Sequence, residues 1–426
     1  EKFAPEYRFG FFNSGGIGWL VSEENFLKDN SVLNMLKLRA SVGDIGDDNV
    51  DGRWLYLTQW AMGGNSHMGV IGESPERSSY VWFKENVLGN PNVRWEKVRK
   101  LNFGADFGLF NNLITGQVNI FKDKRTDVLI PGGNRAIPDY FGVAAPVANL
   151  GIVENLGYEV ELKANKAINQ DWRIWGDLNF THAKDKVIEG DSPLLLPENQ
   201  KIENKQISQT YTHVSSGYYN TWDELYSSTP HDNNDATKIP GNYHIVDFNG
   251  DGIIDAKDNI PYAFPSVPQN TYNLTFGFDF KNFSLMTQWY GVNNVTRQVV
   301  FDSFGRQRNL AYHEGSYWSR DNLNADVPMP RWLSVASSYT AADRFMHDGS
   351  YIRLKTAEIA YNLTADHNFI RRMGLQHIRV FLNGHNLLFW SKMPDDRESN
   401  YAGTGWASQG AYPTVKRFNL GANITF

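Results

Sequence analysis

Cysteine is absent from the 426-residue sequence, which excludes a disulfide framework, a thiolate nucleophile and a cysteine-based zinc site. No run of about 18 apolar residues occurs, so no segment can serve as a membrane-spanning helix. A mean hydropathy of -0.47 ordinarily marks a soluble protein. It does not exclude a transmembrane barrel, whose strands alternate lipid-facing and interior residues and whose loops are polar. Lys and Arg number 41 against 47 Asp and Glu, so there is no basic excess to support nucleic-acid binding. Glu1 to Phe12 lacks the basic, apolar, small-residue order of a secretory signal, and the chain is expected to be mature or incomplete. No Gly-x-Ser-x-Gly elbow, phosphate-binding loop or His-Glu-x-x-His pair is found.

What is plentiful is aromatic. Phe, Tyr and Trp make up 14% of the residues, and they recur with a period of two. In Tyr272-Asn273-Leu274-Thr275-Phe276-Gly277-Phe278-Asp279-Phe280 every even position is large and apolar, the pattern of a strand with two unlike faces. After Asn282 a second run places Phe283, Leu285 and Trp289 on one face. The same grammar runs through Leu101 to Leu109, Tyr158 to Leu162 and Trp172 to Phe180. About twelve strands are predicted, near residues 7–22, 34–45, 53–61, 97–109, 113–127, 152–164, 171–185, 270–281, 283–294, 349–362, 376–390 and 416–426. Many reach the roughly 9–11 residues that a tilted membrane crossing needs, where soluble strands stop at about five or six.

Connections fall into two lengths. Those near 111–112, 167–171 and 282 are short, whereas 62–96, 186–269, 295–348 and 391–415 are long and rich in Gly, Asn, Asp, Tyr and Trp. Short turns on one rim and long loops on the other are the outer-membrane barrel pattern, with the long loops outside the cell. The last residues, Phe418 to Phe426, alternate up to a terminal aromatic, as closing strands of such barrels do. A soluble β-sandwich or propeller is the alternative that periodicity leaves open.

Several segments resemble one family, the SusC/RagA-type TonB-dependent outer-membrane transporters. Leu36 to Gly43 is similar to its "LKLRaSyG" strand, Asn90 to Lys97 to its "NPnlrWEk" approach, and Asp348 to Tyr361 to its "DGSYIRLKN…LGY" strand. Ile378 to Leu388 resembles the next, "lRvyvsGqNLf". Arg8 to Trp19 and the segment from Tyr317 to Arg331 resemble further family stretches, so that the matches run in order from residue 8 to 426. The resemblance implies an all-β fold: an antiparallel transmembrane β-barrel, with about twelve strands here as the C-terminal part of a 22-stranded barrel. It implies that the plug domain and the remaining strands lie outside this chain. It also implies active import of an oligosaccharide or peptide across the outer membrane of a Gram-negative bacterium, with a SusD-like surface lipoprotein as lid. A TonB complex would act through the missing plug region, and outer-membrane lipid would surround the wall. A soluble carbohydrate-active or adhesive β-protein is the competing function.

One motif asks for chemistry of its own. Asp247-Phe248-Asn249-Gly250-Asp251-Gly252-Ile253-Ile254-Asp255-Ala256-Lys257-Asp258 has oxygens at positions 1, 3, 5, 9 and 12 and Gly at 6, the spacing of a calcium loop. Asp247, Asn249, Asp251, Asp255 and Asp258 would ligate Ca2+ by side chain and Ile253 by its carbonyl, in a structural role. Position 12 is Asp rather than Glu, as in the shorter dockerin-like variant. The alternative is a solvated turn without an ion. Tyr218, Tyr219 and Trp222 are candidates for stacking on substrate. No catalytic residue is expected: Glu159 and Glu161 share a strand face and should point into the lumen, and neither they nor the pair Asp395 and Asp396 make a case for a glycosidase.

Overall fold

The computed structural model describes residues 2–28, 30–49, 52–65, 81–232, 238–298, 316–325, 329, 343–364, 368–393 and 414–426. Alternating residues form one antiparallel meander of eleven strands, each bonded to the next in chain order. They are β1 (Ser14–Leu20), β2 (Leu33–Asp47), β3 (Glu96–Leu109), β4 (Ile114–Ile130), β5 (Ala148–Ala167), β6 (Trp172–Glu189), β7 (Asn270–Phe280), β8 (Phe283–Asn293), β9 (Tyr351–Thr364), β10 (His377–Ser391) and β11 (Arg417–Thr425). Eleven of the expected strand segments thus enter the sheet. The twelfth, 53–61, does not: Gln59–Asn65 pairs with Val81–Val87 in a separate hairpin. The facing edges of β2 and β3 are already joined from Leu33↔Leu109 to Asp47↔Glu96, leaving it no place between them.

Connections alternate strictly in position. Those at 110–113, 168–171 and 281–282 are tight, and the chain also leaves β1 and β9 at that end; it leaves β2, β4, β6, β8 and β10 into the longer connections at the other. The turns enter the left-handed backbone region at Asn111 and Asn112, φ 57 and 60, a residue type that tolerates it, and also at Phe110 and Lys281, φ 53 and 51, where a larger side chain is strained.

Register fixes the faces, because residues paired across strands share one. Ile17, Ala40, Phe103, Ile120, Tyr158 and His182 stand abreast across six strands. Leu285, Ile359, Leu382 and Leu420 continue the same face on β8 to β11. These side chains are bare: Ile17 is 79%, Phe103 60% and Leu420 79% exposed. On β6 the outward positions are uncharged from Trp172 to His182, ten residue steps, or roughly 33 Å of strand and about 25 Å of height at a tilt of about 40°. That is the thickness of a lipid-facing band. Trp172 marks its short-turn edge, with its ring centroid 4.3 Å from that of Phe280, and aromatics at such edges suit the membrane interface.

A second kind of packing occurs in the long connections. Ser215–Tyr218 pairs with Tyr243–Ile245, Tyr211–Thr212 pairs with Ile260–Pro261, and Trp222–Tyr226 forms helix α1. Tyr218, Tyr243, Ile245, Ile254, Trp318 and Ala325 close a core of their own.

Candidate functional site

The face opposite the apolar one is built from ion pairs. Arg39 donates from Nε and Nη2 to Asp106 at 2.9 and 2.6 Å, and from Nη2 to Asn119 at 3.0 Å. Arg125 reaches Glu96 at 2.8 Å and Asp47 at 3.2 Å. Glu161 accepts from Gln117 at 2.6 Å and pairs with Lys163, and Glu358 pairs with Arg379. Strict alternation from the apolar face puts each of these side chains here. Glu159 lies on this face too, and Glu161 is engaged as an ion-pair partner, as expected for a lumen carboxylate. Sequence reading passed over the Arg39 and Arg125 clusters because their partners are 67 to 80 and 29 to 78 residues away. Their odd positions opposite Leu38 and Lys124 were the available signal.

Near the long-loop end this face holds a cavity of about 720 Å³. It opens where the segments 206–208 and 265–269 fold against Glu96, Lys100, Asp123 and Arg125. Asp185 anchors the inner segment by accepting from the Ile207 N–H at 2.7 Å, and Gln269 donates to Gln206 at 2.8 Å. A wall of paired charges offers hydrogen bonds to hydroxyl or amide groups. Arg135 ties two long connections together, donating to Asp191 at 2.6 Å and to the Pro146 carbonyl at 2.8 Å. Burial acts to raise the Asp191 pKa, but Arg135 and the Ala136 N–H outweigh it and hold the carboxyl below its usual range.

The aromatic candidates separate. Tyr218 is buried, with its hydroxyl donating to the Ala325 carbonyl at 3.0 Å. Tyr219 is 0% exposed, beneath Lys238, whose ammonium stands 5.5 Å from the ring centre. Both rings fill the loop core and show no face to a ligand in this conformation. Trp222 is 47% exposed and stacks on the exposed Tyr226 with centroids 5.8 Å apart. The side chains that differ in burial are neighbours in sequence, so only tertiary packing distinguishes them. Asp395 and Asp396 lie outside the described residues.

The 247–258 loop is closed by its own backbone. Asp247 accepts from the Gly250 and Gly252 N–H groups at 2.8 and 3.0 Å, and these glycines sit at φ +71 and +83, where a side chain would be strained. Asp258 is 1% exposed and accepts from the N–H groups of Phe248, Asn249 and Asp255 at 2.8, 3.2 and 2.8 Å. Lys257 supplies positive charge 3.1 Å from Asp255. Burial pushes the Asp255 pKa up, yet the Lys257 N–H and ammonium together hold it below the usual range. Among the described residues no group of three or more His, Asp or Glu is gathered to hold a metal ion. As arranged, three of the acceptor sites of Asp258 are taken by backbone N–H donors.

A wide antiparallel meander with one bare apolar face, one ion-paired face and unequal rims defines the wall of a transmembrane β-barrel, the class found in outer-membrane transporters. Over its whole length the chain is similar to the TonB-dependent receptor P3 of Formosa agariphila, at 28% identity, and it covers 43% of that protein. It is 27% identical to the TonB-dependent receptor SusC of Bacteroides thetaiotaomicron, over 85% of the chain and 35% of SusC. Among solved structures, that of the RagAB peptide transporter superposes on all of the chain and 44% of its own, with a TM-score of 0.72 and 19% identity. No protein-family model matches. The SusC/RagA-type resemblance read from the motifs therefore holds along the whole chain, which spans less than half the length of these relatives.

Proposed function

We propose that the chain forms part of the wall of a TonB-dependent importer in the outer membrane of a Gram-negative bacterium. In this reading it passes an oligosaccharide or peptide received from a SusD-like lipoprotein, with the TonB complex acting through a plug region carried elsewhere. The observation that carries it is the bare apolar face running through all eleven strands. In water such a face would drive aggregation, whereas in a bilayer it is at home. The opposite face lines the path with paired charge, and the long connections lie at the end that receives cargo. Trp222 and Tyr226 offer a stacked aromatic surface for a sugar ring or an apolar peptide side chain.

Fractionation tests the reading. The protein is expected to sediment with outer membranes, to resist a high-salt wash, and to migrate faster on gels before heating than after. Release as a soluble, detergent-independent protein overturns it in favour of a carbohydrate-active or adhesive β-protein. Uptake of labelled oligosaccharides and peptides by cells with and without the gene then assigns the cargo class. Calcium at Asp247, Asn249, Asp251, Ile253, Asp255 and Asp258 stands as a proposal that requires Asp258 and Lys257 to leave their present partners. Slower proteolysis within 206–262 on adding calcium supports it, and unchanged cleavage with no bound ion sinks it.

A further inference from the structure

On the apolar face of β2 to β6 charge gathers at the long-connection end, while the short-turn end carries Lys166, level with Ile174. The outward positions of β4, β5 and β6 are apolar or small from Ile114 to Ile120, from Ala164 to Tyr158 and from Trp172 to Phe180. One pairing step beyond His182, the row reads Val42, Leu101, Lys122, Leu156, Lys184, and the row after it reads Asp44, Arg99, Lys124, Glu154, Lys186. Five cations face two carboxylates. Arg99 pairs with Asp44 at 2.9 Å and Lys122 with Glu154 at 3.0 Å. Lys124, Lys184 and Lys186 are exposed and make no ion pair with a described residue. On β8 to β10 the same face carries no charge at Gly291, Ile352 and Trp390.

Where apolar and charged rows meet there is a cavity of about 480 Å³, with Ile120, Leu156 and Tyr158 along its floor and Glu154, Lys184 and Lys186 at its edge. We propose that this is a binding site for one phosphate-bearing lipid of the surrounding leaflet. Its phosphate is held by Lys184 and Lys186, and an acyl chain lies along Ile120, Leu156 and Tyr158. This rests on the membrane reading of the face given above. Lysine stems lie along apolar surface while their ammonium groups stay in the polar zone. An excess of ammonium just above the apolar band complements anionic headgroups. The lysines lie toward the Ile130 end of β4, the long-connection end, so the lipid belongs to that leaflet. A free phosphate ion gains nothing from the apolar floor, and the floor is what commits the site to a lipid.

The test uses the whole protein carrying this chain, in phosphatidylcholine nanodiscs doped with bisphosphorylated lipid A or with the same lipid dephosphorylated. Retained lipid is counted by native mass spectrometry. The wild type is expected to keep the phosphorylated form at least about tenfold more often, and the Lys184→Gln/Lys186→Gln variant to lose that preference while inserting normally. Normal insertion with equal retention of both lipids by the wild type, or an unchanged preference in the variant, overturns the lipid site alone. Displacement of the lipid by inorganic phosphate also overturns it. Failure of the protein to enter discs overturns the membrane reading and the site with it.

Discussion

The sheet and the body of its long loops treat the same residue types in opposite ways. In the wall Ile17, Phe103 and Leu420 stand bare, whereas in the loops Ile245, Ile254 and Tyr219 are wholly enclosed. Hydrophobicity is satisfied in both, but by different surroundings. The loops lie in water and must supply their own apolar partners. The wall leaves its apolar face for lipid, and spends its hydrogen bonds on the strand ladder and its charges on the inner face. Exposure of an apolar side chain is thus a statement about which solvent it meets.

The largest expected effect breaks the loop body alone. Ile254→Ala should remove about 2–5 kcal/mol of local stability, because it hollows a fully buried position. Limited proteolysis within 206–262 should accelerate while membrane insertion and heat-modifiable migration stay as in the wild type. Loss of insertion would mean that the two regions fold as one unit.

The wall is broken from its lipid side. Val118→Arg places a charge in the apolar band and should cost about 2–4 kcal/mol, whereas an arginine on that face near its edge costs about 0–1. Gln117→Arg, one residue away, points to the ion-paired face and should unfold within about 1 kcal/mol of wild type. Urea unfolding in liposomes measures both, and equal costs would erase the distinction between the faces.

A smaller effect sharpens the join between long loops. Asp191 has a depressed folded-state pKa, so its contribution is present above the unfolded carboxylate value of about 4 and is lost as pH falls through the lower folded value. Proteolysis within 131–147 should therefore rise below about pH 4 in the wild type. An Asp191→Asn variant should show the faster cleavage already at neutral pH; a pH response identical in both assigns the effect to other groups.

Much of the wall was legible in order. Tyr272 to Phe280 announces a strand by strict alternation, and its pairing with β8 follows from the turn at Lys281 and Asn282. The segment 53–61 misled because a short alternating run reads the same whether or not a sheet edge is free to receive it. Tyr218, Tyr219 and Trp222 could not be sorted from sequence, since the burial of Tyr218, for one, depends on Trp318 and Ala325, about a hundred residues further on. The 247–258 spacing fits a calcium loop equally well with or without an ion, and only the hydrogen bonds to Asp258 display how the present conformation closes.

By itself the sequence determined the period of the strands, their two unlike faces, the unequal connections and the resemblance to SusC/RagA-type transporters, because each is written in neighbouring residues. Tertiary structure alone decided which charges meet across the inner face and which loop aromatics remain exposed. It alone set Lys184 and Lys186 at the edge of a cavity floored by Ile120, Leu156 and Tyr158. Those relations join residues tens of positions apart, and their free energy exists only once register has brought the strands together.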